Sequence, residues 1–583
     1  MMRGRKWIRG IPGLLALAMA VLGCASLGGS GWGAAASAPK TSIDMAMAMG
    51  NGINLGNTME AYGRSKLGTK APVSDYETFW GQPLTTREMI KAMHKAGFSS
   101  LRIPVAWTNT MDFTQGDYTI SPAYLDRVGQ IASWAIDEGM YAVINDHWDG
   151  GWWGMFGSRS EETRKKAMDL YVSMWGQIAE KYKDYSPKLI LESANEELGD
   201  RLNDKDIAAD SGSLSRDECY AAVNRINQAF VDTVRKAGGK NADRFLLVAG
   251  YNTGIEPTLD PRFSMPKDAA KDRLLVSVHY YEPSDYCVNT SVNRWGFKQE
   301  YAKMNALFKR LIAFTNAGYG VVVGEYAVSL KQDGTVKNDT YGYLANLLDN
   351  CDLYGCCPML WDCSSLFKRS ELRFIDAESA ALFQSRSPAA RKGMSRDKIA
   401  NEARLSIGSA LVSAKEAPTV ADDAALAWIM YNSGDWGMSY SVGDKYNPGS
   451  KSDGVVAKDP PITGPGTYTV SLDFSGTAAG SASGVGFSAI GVANGEKLFP
   501  GYVIDIKEVL VNGKPFALSG NPYTTSDDGT CTRVNLYNAW VTQIPDGIRV
   551  ARADAGKPSA CVVDPKELGQ VKTISITFEY RPR

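Results

Sequence analysis

Histidine is scarce in this chain, with three in 583 residues, and neither charge is in excess: 63 Lys and Arg stand against 64 Asp and Glu. A formal net charge of −1 supplies no field that would gather nucleic acid or an anionic membrane surface, so a neutral ligand suits the chain better. No internal repeat is visible beyond an alternation of strand-like and helix-like segments. What the chain has in quantity is aromatic, 14 Trp and 27 Tyr, flat amphipathic surfaces of the kind that stack on apolar ring faces. With 44% hydrophobic and 22% charged residues it reads as a soluble globular protein, long enough for one large and one medium domain.

The N-terminus reads as a leader. Arg3, Arg5, Lys6 and Arg9 precede "IPGLLALAMAVLG", an apolar run too short to span a bilayer comfortably, and small residues follow. Residues 1–38 are therefore expected to be a secretory signal peptide and linker, and the protein exported, extracellular or held at the cell surface. "VLGC" ending at Cys24 is similar to a bacterial lipobox, with Val21 where Leu is usual; lipidation there would be the chain's only membrane attachment. Ordinary cleavage in "GAAASA" is the alternative.

Of the other cysteines, Cys351, Cys356, Cys357 and Cys363 cluster without a histidine along an apolar strand, which points to buried thiols before a metal site. Cys531 and Cys561 are the only two cysteines of the C-terminal part, in a compartment that permits disulfides, and are a candidate disulfide pair whose geometry the sequence leaves open.

Short apolar runs alternate with amphipathic ones. The segments 52–57, 99–105, 140–147, 188–196, 244–250, 274–281, 320–326 and 356–362 read as buried strands. Between them lie helix-like stretches such as "TTREMIKAMHKAG" and "SEETRKKAMDLYVSMWGQIAEKY", opened by Ser or Thr. The alternation predicts a parallel (β/α)8 barrel over residues 42–412. A doubly wound open sheet is the competitor, because periodicity cannot show closure. Beyond a polar stretch near "SAKEAPTVADDA", the runs "GTYTVSLDFSG", "GYVIDIKEVLVNG" and "VKTISITFEY" alternate apolar and polar residues between turn signals, and predict an all-β sandwich over 420–583.

In a closed barrel, chemistry gathers where strands end. The second strand carries Arg102, the third ends at His147, the fourth at Asn195 and Glu196, the sixth offers His279 and Tyr281, the seventh Glu325 and the eighth Trp361. Two of the three histidines fall in this set. Each residue taken singly could be core. Glu192, inside the fourth strand, is expected to orient Arg102, and Glu197 to belong to the loop.

"GINLGNTMEAYG", "ETFWGQPLTTREMI", "AGFSSLRIPVAW", "INDHWDGGWW", "NEE", "SVHYYEPSDY", "GEYAV" and "LWD" together resemble family 5 glycoside hydrolases, from about residue 45 to 385, most nearly the bacterial endoglucanase and xyloglucanase subgroup. The resemblance implies that Glu196 is the acid/base and Glu325 the nucleophile. Arg102, His147, Asn195, His279, Tyr281 and Trp361 would form the supporting and substrate-binding set, with Asn54 at the first strand. Glu197 replaces the usual Pro after Asn-Glu, and Trp148 a frequent second His; both bear on substrate preference. Trp148, Trp152 and Trp153 are expected to line the substrate cleft.

A retaining glycosidase needs one carboxylic acid to protonate the leaving oxygen and one carboxylate to attack the anomeric carbon, about 5–5.5 Å apart. Repulsion and burial are expected to raise the pKa of Glu196, Asn195 to bond the sugar 2-OH, and Arg102 with Tyr281 to keep Glu325 ionised. A strict pleat would send Asn195 and Glu196 to opposite faces, so the strand must bend there. The chemistry needs no cofactor and no catalytic metal; a structural calcium in the C-terminal domain is left open.

The C-terminal domain resembles a carbohydrate-binding sandwich, with Trp428, Tyr431, Trp436, Tyr440 and Tyr446 as its candidate binding aromatics. The expectation is a monomeric endo-β-1,4-glucanase acting on a polysaccharide. The alternatives are a β-mannanase or xylanase on the same barrel, or a surface glycan-binding protein without turnover.

Overall fold

Apolar runs of this length lose both faces to solvent unless helices cover a parallel sheet. The computed structural model, which describes residues 39–290, 292–416, 420–442, 449–527, 529–541 and 543–583, closes them into a barrel. The leader with Cys24, and Tyr446, lie outside the described residues. The strands are β1 (Gly52–Asn54), β2 (Ser100–Ile103), β3 (Tyr141–Ile144), β4 (Leu189–Glu192), β5 (Leu246–Gly254), β6 (Leu274–Tyr280), β7 (Gly320–Tyr326) and β8 (Cys357–Leu360). They pair in sequence order, and the parallel pairing of β1 with β8 seals the ring, which rules out the open sheet.

Helices Arg87–Lys95, Pro122–Asp137, Glu161–Tyr182 and Arg216–Lys236 follow the first four strands. Thr86, Ser160 and Ser215 cap three of them by accepting a backbone N–H of the first turn. The fifth crossover departs from the pattern and carries only the short helix Ile255–Thr258.

The barrel interior is layered. At its base Val143, Ile190, Leu247, Leu275, Val322, Cys357 and Met359 pack against Met45, Ala46 and Met49 of the leading helix Ser42–Met49. Above them the inward positions turn polar, with Asn54, Arg102, Glu192 and Ser277 all buried. An apolar plug below and polar side chains above leave one open end for chemistry, the end where the strands finish.

The C-terminal region forms two main antiparallel sheets. We label β9 (Ala425–Asn432), β10 (Ser439–Tyr440), β11 (Gly466–Asp473), β12 (Phe487–Ala493), β13 (Tyr502–Val511), β14 (Tyr523–Asp527), β15 (Cys531–Tyr537) and β16 (Thr573–Pro582). One sheet runs β10-β9-β12-β15-β14, and the other centres on β11-β16-β13, the three alternating runs read from sequence. β16 keeps a strict alternation of buried and half-buried residues along most of its length.

Two readings fail here. Trp428, Tyr431 and Tyr440 are buried in the core of the sheets and cannot form a binding face, whereas Trp436 is exposed. Cys531 and Cys561 are not bonded to each other. Cys561 bridges Tyr537 at the far end of β15, six residues from Cys531 and so roughly 20 Å away at the rise of a strand, well beyond disulfide reach.

The sheets meet the barrel through the loop that leaves β6. Val292 bridges Ser452, and Arg294 Nη2 donates to the Gly449 carbonyl at 3.2 Å.

Candidate active site

Arg102 organises the site. Fully buried on β2, its guanidinium donates from Nε to Glu192 Oε2 (2.6 Å), from Nη1 to Asn54 Oδ1 (2.9 Å) and Glu325 Oε1 (2.8 Å), and from Nη2 to Asn195 Oδ1 (2.9 Å). A buried guanidinium is tolerated only when paired and fully hydrogen-bonded. Burial works against its charge, and Glu192 and Glu325 outweigh burial, so its pKa rises. Glu192 is held in turn by Ser277 Oγ at 2.7 Å. Asn54 spends its amide on the carbonyls of Gly324, Met359 and Leu360, so it supports the site and does not reach substrate.

Glu325 reaches the interior by a slip in register. Val278 pairs with Val323, but His279 pairs with Glu325, so Gly324 is passed over. Without that slip the pleat would place Gly324 inward and Glu325 outward. Its carboxylate then takes Arg102 on Oε1 and Tyr281 Oη, at 3.0 Å, on Oε2. The parity difficulty at Asn195 and Glu196 resolves differently. β4 ends at Glu192, and residues 193–197 leave the strand and turn, which frees both side chains from the pleat.

Glu196 Oε1 lies 2.9 Å from His279 Nδ1, which is 3.7 Å from Glu325 Oε2. One donor atom each from Glu196, His279 and Glu325 fall within 4.8 Å of one another. Among the described residues this is the one group of His, Cys, Asp or Glu side chains converging closely enough to hold a metal ion, and the four-cysteine cluster is not such a group. Glu196 keeps 42% of its side chain exposed, against 6% for Glu325.

The charges fall differently from expectation. Burial pushes Glu196 up, but the hydrogen bond and charge of His279, with Arg102 and Arg201 behind it, prevail and hold its carboxyl below the usual value. Burial dominates at Glu325 and raises it against His279 and Arg102. His279 is pulled down by burial and raised on balance by Glu325 and Glu196. His147, by contrast, is held well below its usual value by burial and then by Arg102 and His279, which favours its uncharged form. It stacks on Trp361 at 5.6 Å and 7°.

The loop after β3 divides its tryptophans. Trp148 is half-buried at the mouth, edge-on to Tyr62 at 5.6 Å. Trp152 and Trp153 are fully buried, stacked on each other at 4.4 Å and packed on Phe156 and Tyr171. They form the floor of the loop and do not line the cleft; Trp153 Nε1 reaches the His147 carbonyl at 3.3 Å.

Sequence reasoning passed over two buried carboxyl groups, Asp146 and Asp149, and the burial of a third, Glu197. Asp146, both of whose oxygens lack a hydrogen-bond partner, is pushed well above its usual value by burial and then by Asp149 and Glu197. Burial raises Asp149 to about 6 and Glu197, aided by the Glu196 charge, to about 7. Glu197 is indeed in a turn, as expected, but the turn is buried.

The sequence profile of the cellulase family, glycosyl hydrolase family 5, matches residues 65–365. The xyloglucan-specific endo-beta-1,4-glucanase of Bacteroides ovatus is 30% identical over 367 residues, covering 58% of this chain and 69% of that protein. Endoglucanase A of Paenibacillus barcinonensis is 32% identical over 379 residues, covering 59% and 89%. A solved broad specificity endoglucanase from an uncultured bovine rumen ciliate superposes with a TM-score of 0.52 at 29% identity, covering 61% of this chain and all of that one.

Proposed function

Because the chain belongs to glycosyl hydrolase family 5 and is a glycoside hydrolase, we propose that it cuts β-1,4-linked glucans internally, with retention, using Glu325 as nucleophile and Glu196 as acid/base. The observation that supports this most is the carboxylate pair within 4.8 Å, a separation suited to direct attack and too short to seat the extra water of an inverting enzyme.

In this reading Glu325 attacks the anomeric carbon while the glycosidic C–O bond breaks and Glu196 delivers its proton to the departing oxygen. Water then adds to the anomeric carbon as Glu196 takes its proton, and the ester bond to Glu325 breaks. Arg102 and Tyr281 favour the ionised nucleophile by hydrogen bonds to it. The proton Glu196 must deliver is held in its bond to His279. A sugar in the cleft strips the remaining water from Glu196, which moves that proton from the imidazole toward the carboxylate. With Oδ1 of Asn195 taken by Arg102, its Nδ2, which also neighbours the Glu197 carboxyl, is the donor it would turn to a sugar 2-OH. Trp361, stacked on His147, gives an apolar ring face for the sugar.

The basic and apolar N-terminus supports export, and the C-terminal sheets are read as a glycan-binding module. Among the described residues no helix is long and apolar enough to cross a membrane. Digestion of xyloglucan, mixed-linkage β-glucan, carboxymethyl cellulose, mannan and xylan, with product mapping, tests the reading. Internal cleavage of the β-glucans is expected. Turnover confined to mannan or xylan, or absent from all five, contradicts it.

A further inference from the structure

Three aromatic rings meet at one end of the sheet β10-β9-β12-β15. Asn432, the last residue of β9, pairs with Phe487, the first of β12, and Ser488 pairs with Tyr537, the last of β15. The turn after β9, the start of β12 and the segment after β15 therefore come together, carrying Trp436, Phe487 and Trp540. The two indoles have centroids 5.7 Å apart at 49°, and Trp540 lies 6.3 Å from Phe487 at 40°. Trp436 is 42% exposed and Trp540 62%. Scattered apolar residues on a surface need no explanation, but two adjacent exposed indoles do.

The backbone treats Trp436 as a displayed residue. Its φ is 58°, a left-handed conformation unfavourable for a bulky side chain, and glycine, which adopts it freely, stands one residue further on. The turn is fixed all the same: Trp436 N donates to the Ser433 carbonyl at 3.0 Å, and Gly437 N to Asp435 Oδ1 at 2.9 Å. A β-carbon on Gly486 would stand 3.3 Å from the Trp436 ring, so the six-membered ring of the indole packs close to the Gly486 backbone. Strain kept in a rigid turn points to use.

We propose that Trp436, Trp540 and Phe487 form a platform that binds a β-linked glucan chain by the apolar faces of its pyranose rings, outside the catalytic cleft. This rests on the reading of the barrel as a β-glucan hydrolase. The ligand that fits is uncharged, flat on its faces and hydroxylated at its edges. Tilted rings follow successive sugars of a twisted single chain better than the flat face of a crystal. Polar groups border the rings, with Asn538 Oδ1 accepting from Trp540 N at 3.2 Å and the Arg533 guanidinium over Phe487 at 5.2 Å.

Connectivity points to the same occupant. The turn bearing Trp436 runs directly into β10, where Ser439 N donates to Ser452 Oγ at 2.8 Å, and Ser452 bridges Val292 in the loop leaving β6. That loop begins beside Tyr281, so the platform is braced on a loop of the candidate active site. A polymer held there raises the local concentration of cleavable chain, with no new contact in the cleft.

The test uses the full chain carrying Glu325→Gln, so that the probe survives, in affinity electrophoresis through gels of mixed-linkage β-glucan, xyloglucan or carboxymethyl cellulose, with mannan and xylan as controls. Trp436→Ala and Trp540→Ala should each weaken retention about tenfold, since an aromatic stack contributes on the order of one factor of ten. The double variant should retain only what the cleft alone provides. In the active chain the same substitutions should leave aryl cellobioside turnover unchanged. Trp436→Tyr and Trp540→Tyr should keep most of the retention, which preserves the test if an alanine variant misfolds. Undiminished retention in the double variant overturns the proposal, as does a parent that no β-glucan gel retards. So does a parent that self-associates through these rings, by light scattering, and is made monomeric by the double substitution without loss of retention. Loss of all hydrolysis by the unsubstituted chain would instead sink the reading of the barrel, because retention is measured without turnover.

Discussion

The β-carbon that Gly324 lacks would stand 2.9 Å from Ser277 Oγ and 3.1 Å from His279 Nε2. His279 is thus packed against the bare backbone that lets β7 slip by one residue, and the slip is what presents Glu325 to it. Gly324→Ala should push His279 or the strand aside and misplace the nucleophile. We expect kcat to fall by on the order of 10²-fold, the effect of roughly 1 Å of misplacement, with about 1–3 kcal/mol lost from stability through overpacking. Steady-state kinetics with thermal unfolding measure both. An alanine variant with unchanged kcat would show that the slip does not depend on glycine.

Glu325 must be ionised to attack, and burial holds its pKa above the ordinary carboxylate value. As pH falls through that pKa the nucleophile is protonated and the rate falls, so the acid limb of kcat/KM should lie above the usual carboxylate range. Tyr281→Phe removes a donor to the ionised form and should move the limb to still higher pH. A pH profile on an aryl cellobioside reads it; an unmoved limb would place the control elsewhere.

Glu197 has its native pKa raised to about 7, by burial first and the Glu196 charge second, with Arg201 opposing. Above the ordinary glutamate pKa the unfolded chain releases this proton while the native chain keeps it. The stabilisation is therefore full below the unfolded value and lost as pH rises through about 7. Glu197→Gln should flatten the decline of Tm between roughly pH 5 and 8, in proportion to the single proton removed. Parallel Tm curves for variant and parent would contradict the burial of its charge.

The tryptophans of the β3 loop should separate by assay. Trp152→Ala empties a packed site and should cost about 3–5 kcal/mol of stability. Trp148→Ala should leave Tm nearly unchanged and raise KM for long glucans more than for aryl cellobiosides. The opposite pattern would put Trp152 in the cleft.

All eight barrel strands were legible because each is an apolar run that must be buried on both faces, and a period needs no partner to be seen. The direction of Glu325 was not, since it depends on a slip against β6, some forty residues earlier in the chain. The lowered pKa of Glu196 was hidden for the same reason: it depends on His279, which only the closed barrel brings to 2.9 Å. Trp152 and Trp153 read as cleft residues because they follow the third strand, at the end where a barrel builds its binding face. Here Gly150 and Gly154 let that loop fold down, against the ring of Tyr62 and the carbonyl of Asp204. Trp540 gave no signal, lying in an unremarkable polar segment until register placed it beside Trp436.

The division of labour between Glu196 and Glu325 is tested most directly by azide rescue with a dinitrophenyl cellobioside, whose leaving group needs no proton. Glu196→Ala should form the covalent intermediate quickly, stall at its hydrolysis with a burst of dinitrophenol, and release β-glycosyl azide when azide is added. Glu325→Gln should show neither burst nor rescue to that product. An α-glycosyl azide from Glu196→Ala, or a burst from Glu325→Gln, would contradict the assignment.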